Sequence, residues 1–162
     1  MDKLRVCLVQ EKLVWEDPAA NRTQFSQLLR GKAGQFDLIV LPEMFSTGFT
    51  MSPQVKEEGM DGPTIAWMQS HAKDLNATLM GSLIIGENGN YYNRLIVMGP
   101  EGLVSQYDKR HLFRMAGEHK QYEPGQANAV FSIKGWRILP LVCYDLRFPV
   151  WSRNTGTEQG MT

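Results

Sequence analysis

The sequence is poor in cysteine, in long apolar runs and in excess charge, and each shortage excludes a class of protein. Only two cysteines, Cys7 and Cys143, occur among 162 residues, so a disulfide scaffold is not expected. No apolar stretch approaches the roughly 20 residues that a membrane-spanning helix needs. Seventeen basic residues balance seventeen acidic ones, so no overall field attracts nucleic acid or an anionic membrane. No metal-ligand spacing is present.

The N-terminal segment lacks the features of a secretory signal. Residues 1–5 lead directly into a short apolar segment, with no small-residue cleavage site. The composition, 43% hydrophobic and 21% charged, is that of a globular protein, and free thiols suit a reducing compartment. We therefore predict a cytoplasmic protein with one domain over residues 1–153. Residues 154–162 contain one apolar side chain and no periodicity, so we expect an unstructured tail there.

Strand-like and helix-like segments alternate along the first part of the chain. Residues 4–9 and 37–42 are short apolar runs that predict buried strands. Between them, Asp17 and Pro18 provide an N-cap and a first helical residue, and this helix is expected to end near Gly31. A strand, a helix and a strand in this order predict a parallel βαβ unit, and hence an α/β fold.

The rest of the chain is predicted to consist mostly of strands. A second helix begins at 62–64, and strands joined by turn signals at 88–90 and 99–102 follow it. The strand-like segments are 78–86, 91–98, 103–107, 129–133 and 136–142. The polar stretch 108–128 predicts a long loop, and loops of this length in a compact domain are usually functional or disordered.

Three residues with chemically useful side chains follow predicted strands, namely Glu43, Lys109 and Cys143. Because functional sites gather at the carboxyl ends of parallel strands, the three are candidates for one convergent site. Each also has an ordinary interpretation, as a solvated loop carboxylate, a surface charge and a buried inert thiol respectively.

Together these residues have the chemistry of a thiol hydrolase. A thiol is mostly protonated near neutral pH and needs a base or a nearby cation to become a nucleophile. Glu43 is the candidate base. Lys109 is a candidate for lowering the pKa of the thiol and stabilising an oxyanion, and the backbone N–H of Tyr144 is a second oxyanion donor. A cysteine–histidine pair with His111 or His119 is the alternative.

Three motifs carry a resemblance to a known family. Residues 41–49 (LPEMFSTGF), 107–113 (YDKRHLF) and 141–149 (LVCYDLRFP) resemble the glutamate, lysine and cysteine motifs of the nitrilase, or carbon–nitrogen hydrolase, superfamily. They occur in the family's order, and the resemblance covers residues 4–153. The family's second glutamate, which lies between the lysine and cysteine motifs, matches Glu118.

The resemblance implies a four-layer α-β-β-α sandwich. Because family members continue beyond the cysteine motif, it also implies a fold that is incomplete at the C-terminus. In the implied reaction Cys143 attacks an amide carbonyl and forms a thioester while Glu43 carries the proton. Lys109 and the Tyr144 N–H hold the oxyanion, and Glu118 orients Lys109 or the substrate. No metal or organic cofactor is implied, and the full-length protein is expected to be a homodimer.

Within the superfamily the motifs are most similar to the omega-amidase branch, which hydrolyses the side-chain amide of 2-oxoglutaramate and 2-oxosuccinamate and releases ammonia. The expected partner is therefore a small-molecule amide, and neither nucleic acid nor a membrane. Arg147 and Arg110 are candidates for binding a substrate carboxylate, since Arg can bind one bidentately, with an ordinary ion pair as the alternative. Two other interpretations stay open: an inactive truncated fragment, and a nitrilase or carbamoylase of the same superfamily.

Overall fold

The computed structural model describes residues 3–153, so the tail predicted at 154–162 lies outside the described residues. The strands are β1 (Val6–Leu8), β2 (Leu38–Val40), β3 (Thr78–Glu87), β4 (Asn90–Gly99), β5 (Gly102–Asp108), β6 (Phe131–Ile133) and β7 (Trp136–Ile138). The helices are α1 (Pro18–Leu29), α2 (Pro53–Lys56), α3 (Pro63–Leu75) and α4 (Pro149–Ser152). Short 3₁₀ turns cover Arg114–Ala116, Glu118–Lys120 and Cys143–Arg147. Within the part described, no helix has the length and apolar character needed to cross a membrane.

Five strands form one mixed sheet in the order β1-β2-β3-β4-β5. The first three are parallel, with Val6 opposite Leu38 and Leu38 opposite Thr78, which confirms the predicted βαβ unit. Strand β4 is antiparallel to both of its neighbours. Strand β5 therefore runs in the same direction as β2, and the two strands end at the same edge of the sheet.

Helix α1 begins at the residues that the sequence indicates. The Asp17 side chain accepts a hydrogen bond from the backbone N–H of Ala20 at 2.9 Å. Pro18 follows in the first turn, where its missing N–H leaves no helical hydrogen bond unmade. Helix α3 likewise begins with a proline, and Asn76 ends it in the left-handed conformation at φ 48°.

The sheet separates two hydrophobic cores. Neighbouring residues of a strand point to opposite faces, so Ile96 of β4 packs on one side while Leu95 and Val97 pack on the other. The first core includes Phe25 of α1 and Met68 of α3. The second lies against the two-stranded ribbon β6–β7, and includes Phe131, Ile133, Ile138 and Val142. Helices, sheet and ribbon thus form a layered α/β fold, as the sequence predicts.

Two predictions about the second half need correction. The last strand ends at Ile138 rather than at Val142, so Cys143 begins a 3₁₀ turn instead of directly following a strand. Pro140 lies in between and has no N–H for a strand ladder. The loop predicted at 108–128 also contains two of the 3₁₀ turns.

That loop is closed against the end of β5. The N–H of Gly125 donates to the carbonyl of Lys109 at 3.0 Å. A Cβ at residue 125 would lie 2.0 Å from the carbonyl oxygen of Asp108, so only glycine permits this approach.

Candidate active site

Three of the residues predicted from the sequence meet at the edge where β2 and β5 end. The Nζ of Lys109 lies 2.7 Å from Glu43 Oε1 and 2.9 Å from Glu118 Oε2. The side chains of Lys109 and Glu118 are fully buried, and that of Glu43 is 21% exposed. Two carboxyl groups therefore share one ammonium, in what we call the charge cluster (Glu43, Lys109 and Glu118).

The ammonium of Lys109 is strongly held. Burial by itself lowers the pKa of Lys109, but attraction to Glu43 and hydrogen bonds to Glu43 and Glu118 outweigh burial and leave the pKa above its ordinary value. The Nζ also lies 5.1 Å from the centre of the Phe49 ring. A cation is thus present in a largely dry site, where it interacts with charge more strongly than it would in water.

The turn that presents Glu43 is anchored to the neighbouring strand. Met44 has φ 46°, a left-handed conformation, and its N–H donates to the hydroxyl of Ser82 on β3 at 2.9 Å. At Gly81 on the same strand, a Cβ would lie 2.9 Å from the Cβ of Leu41 and 3.0 Å from the Phe45 ring. The close approach of β3 fixes the backbone on both sides of Glu43.

Cys143 stands on a strained turn. Its φ of 45° lies in the left-handed region, which is unfavourable for a residue with a Cβ and is found disproportionately at functional sites. The residue is exposed, so a substrate can reach it. The N–H of Tyr144 forms no hydrogen bond with another residue among 3–153, which leaves it available as an oxyanion donor.

The charge cluster acts on the thiol of Cys143. Partial burial, the negative charge of Glu43 and a hydrogen bond with Glu43 raise the pKa of Cys143, and Lys109 lowers it by less. Lys109 thus acts on the pKa of this thiol in the expected direction, but burial and Glu43 together outweigh it. Near neutral pH the thiol keeps its proton, so a role as nucleophile would require a base.

A buried carboxylate, Asp145, holds the turn that carries Cys143 in place, and the sequence motifs gave it no role. Asp145 is fully buried and accepts hydrogen bonds from the Tyr107 hydroxyl at 2.8 Å and the Val142 N–H at 3.1 Å. It also accepts from the backbone N–H of His111 at 2.8 Å and pairs with the His111 ring Nδ1 at 2.8 Å. The Cys143 turn is thereby fastened to the end of β5.

Comparison with known proteins assigns this geometry to a family. The sequence model of the family described as Carbon-nitrogen hydrolase matches residues 5–160. The chain belongs to the carbon-nitrogen hydrolase family. The match covers all three motifs and every residue of the charge cluster.

Curated relatives and a solved structure agree with the family. Omega-amidase YafV of Escherichia coli K12 is 47% identical over 154 residues, and YafV of Yersinia enterocolitica is 46% identical over 155 residues. A 2-oxoglutaramate amidase of Bacillus subtilis is 27% identical over 96% of this chain. A CN-hydrolase superfamily protein of Xanthomonas campestris, with an arsenic adduct in its active site, superposes with a TM-score of 0.92 at 47% identity.

These matches cover most of this chain and a smaller share of the relatives. Each of the two YafV relatives aligns to 95% of this chain, and the aligned part is 59% of the relative. For the Xanthomonas protein the shares are 95% and 58%. The amidase from Nesterenkonia sp. AN1 shares the fold, with a TM-score of 0.78 at 23% identity over 92% of this chain and 61% of its own.

The two predicted substrate-binding arginines lie in different surroundings. Arg110 donates to the Gly125 carbonyl at 2.8 Å, packs over the Trp151 ring at 5.3 Å, and lines a cavity of about 580 Å³ together with Tyr144. The side chain of Arg147 is exposed and forms no hydrogen bond or ion pair with another residue among 3–153. The substrate-binding roles of both stay predictions.

His111 and His119, the candidates for a cysteine–histidine pair, make other contacts. His111 is engaged by Asp145 and stacks on the Phe148 ring, with 3.7 Å between the ring centres. His119 lines the same cavity as Arg110. Among residues 3–153, no group of three or more His, Cys, Asp or Glu side chains is arranged to hold a metal ion.

Proposed function

We propose that this protein hydrolyses the terminal amide of a small linear amide, an omega-amide of a 2-oxo dicarboxylic acid such as 2-oxoglutaramate, and releases ammonia. The observation that carries the proposal is the buried ammonium of Lys109 between Glu43 and Glu118, next to the strained and exposed Cys143. The names of the E. coli, Yersinia and B. subtilis relatives support this choice of substrate.

In the first half of the proposed reaction, Cys143 Sγ attacks the amide carbonyl as Glu43 takes the thiol proton. A carbon–sulfur bond forms, and the carbonyl oxygen becomes an oxyanion. The ammonium of Lys109 and the N–H of Tyr144 stabilise this oxyanion. One such donor typically contributes on the order of 100- to 1,000-fold to the rate.

In the second half, Glu43 gives its proton to the leaving nitrogen. The carbon–nitrogen bond breaks, ammonia leaves, and an acyl thioester remains on Cys143. Glu43 then takes a proton from a water molecule, whose oxygen attacks the thioester. The carbon–sulfur bond breaks, the carboxylic acid leaves, and Glu43 returns the proton to Sγ of Cys143. The role of Glu118 is to hold Lys109, which it contacts with both carboxyl oxygens, at 3.1 and 2.9 Å.

The test is ammonia release from 2-oxoglutaramate and succinamate by the purified chain. The Cys143→Ala variant is expected to be inactive, and Cys7→Ala, which removes the other free cysteine, is the matched control and is expected to retain activity. A nitrile and a carbamoyl compound are assayed alongside. Release from either of these but not from the amides would favour a nitrilase or carbamoylase.

Absence of turnover with every compound would contradict the activity proposed for this chain and favour the inactive fragment. We also propose that the full-length protein is a homodimer and that it resides in the cytoplasm. Sedimentation of the full-length protein and fractionation of cells would test these two points.

A further inference from the structure

One fully buried polar side chain lies between the two carboxyl groups of the charge cluster. Asn93 is in β4, and its side-chain nitrogen Nδ2 donates to Glu43 Oε1 at 2.8 Å and to Glu118 Oε1 at 3.1 Å. An amide nitrogen carries two hydrogens, so it can serve two acceptors at once, whereas a hydroxyl can donate to only one. Asn93 thus bridges the same two carboxyl groups that Lys109 pairs with.

These donors distinguish the two oxygens of Glu43. Its Oε1 accepts from both Lys109 Nζ, at 2.7 Å, and Asn93 Nδ2, at 2.8 Å. Its Oε2 accepts from neither. Two donors on one oxygen fix the rotation of the carboxyl group and leave Oε2 without either donor, and the Glu43 carboxyl group also interacts with the Cys143 thiol.

The side-chain oxygen of Asn93 does not account for the presence of an amide at this position. Its Oδ1 is buried and has no hydrogen-bond partner in the described part of the chain. Unpaired buried acceptors are uncommon and unfavourable for folding, and an apolar side chain at this position would avoid one. The presence of an amide here is accounted for by what its NH₂ group does.

We infer that Asn93 is a positioning residue: it holds Glu43 and Glu118 together and aims Oε2 of Glu43 at the thiol of Cys143. The expected effect of Asn93 on the reactivity of Cys143 does not depend on the substrate. Its expected effect on turnover rests on the proposed amide hydrolysis.

The first experiment measures the rate at which iodoacetamide alkylates Cys143 across a range of pH, in a Cys7→Ala background so that one thiol reacts. The negative charge of Glu43 disfavours the thiolate, and the hydrogen bond that Asn93 donates to Glu43 offsets part of the field of that charge. Asn93→Ala is therefore expected to move the alkylation profile to higher pH, by about one unit. Asn93→Ser, which keeps one donor, is expected to give a smaller shift.

A coupling test shows whether Asn93 acts through Glu43. In a Glu43→Gln background Asn93 still binds Glu118, but Glu118 contributes least to the raised pKa of Cys143, so Asn93→Ala is expected to move the profile much less. An equal shift in both backgrounds, or no shift in either, would overturn the inference.

Leu95→Ala is the matched structural control. Leu95 lies two residues further along β4, on the same face, and is buried in the second core. Its truncation is expected to lower the melting temperature without moving the alkylation profile. If Asn93→Ala and Asn93→Ser both fail to fold while Leu95→Ala folds, Asn93 is a structural residue and the inference is wrong.

The second experiment compares kcat and KM for ammonia release. Asn93→Ala is expected to lower kcat by about tenfold or more and to change KM by less than about threefold, because Glu43 works in the transition state. An alkylation shift without ammonia release from the parent chain would contradict the proposed activity but leave the role of Asn93 supported. Ammonia release that is unchanged in Asn93→Ala would contradict the role of Asn93 and leave the activity supported.

Discussion

The charge cluster and the turn that carries Cys143 are built in opposite ways. Lys109 and Glu118 are fully buried, directly after the main sheet and in the loop closed against it, whereas Cys143 is exposed on a 3₁₀ turn beyond the small ribbon. In the proposed reaction, the groups that keep their charge and geometry are packed inside, and the group that meets the substrate is accessible. One buried carboxylate, Asp145, connects the two regions.

Because of this difference, we expect substitutions in the two regions to have different effects. A change within the charge cluster leaves buried charges without partners, so it affects folding as well as chemistry. A change at the turn alters the position or reactivity of one thiol. The following four tests are arranged from the largest expected change in free energy to the smallest.

Lys109→Met should have the largest effect, because it leaves two carboxyl groups in a buried site without their cation. We expect the free energy of unfolding to fall by about 3–5 kcal/mol, measured by urea denaturation, with loss of ammonia release. The matched control is Lys134→Met. Lys134 pairs with Asp37 at 2.7 Å but is 44% exposed, so its loss should change stability by less than about 1 kcal/mol. Equal losses of stability in the two variants would contradict the difference expected between the buried and the exposed lysine.

Asp145→Asn should come next, because it weakens the connection between the two regions. The amide keeps the shape of the carboxylate but loses its charge and presents an NH₂ group to at least one donor. We expect a loss of about 2–4 kcal/mol in the free energy of unfolding and of about 100-fold in activity, since the nucleophile is displaced. Asp74→Asn, at an exposed position of α3, should change neither quantity. Retention of full activity by Asp145→Asn would show that the turn does not need this anchor.

Glu43→Gln should separate reactivity from catalysis. Ionised Glu43 and its hydrogen bond help to raise the pKa of Cys143, so their removal should lower that pKa and increase the thiolate fraction near pH 8. Alkylation of Cys143 should therefore move to lower pH, by about one unit, while amide hydrolysis falls by about 100-fold or more for want of a base. A shift to higher pH would mean that the field of Glu43 at the thiol has been assigned the wrong sign.

Replacement of Arg110 or Arg147 by alanine should have the smallest effects. Arg110→Ala loses the hydrogen bond to Gly125 and the packing on Trp151, and should reduce the free energy of unfolding by about 1 kcal/mol. Arg147→Ala should change it by less than about 0.5 kcal/mol. KM for an anionic amide, compared with KM for an uncharged one, tests the predicted contact with a carboxylate. The prediction fails for any arginine whose replacement leaves both KM values unchanged.

Much of the local structure was predictable from short stretches of sequence. The Asp17–Pro18 pair marks the start of α1, and the turn at 88–90 joins β3 to β4, because caps and turns depend on a few adjacent residues. The end of β7 was not predicted correctly, because apolar residues continue past Ile138 in the sequence. Pro140, which has no N–H for a strand ladder, lies within that apolar run.

Asn93 and Asp145 illustrate what motif reasoning overlooked. The signal for Asn93 was a polar residue within the predicted strand 91–98, and Asp145 stood in the cysteine motif without an assigned role. Asn93 is 50 residues from Glu43 in sequence, and Asp145 is 38 residues from Tyr107. Contacts over such separations depend on how strands and turns come together, which local patterns do not specify.

The sequence by itself determined the family, the order of the two longer helices and the main strands, and the choice of Glu43, Lys109, Glu118 and Cys143 as candidate site residues, because these depend on residue type and spacing along the chain. Only the tertiary structure decided that two carboxyl groups share one ammonium, that Asn93 and Asp145 hold the parts in place, and that the pKa of Cys143 is raised rather than lowered. The physical reason is that hydrogen bonding and the strength of a charge depend on burial and on distances between residues far apart in sequence.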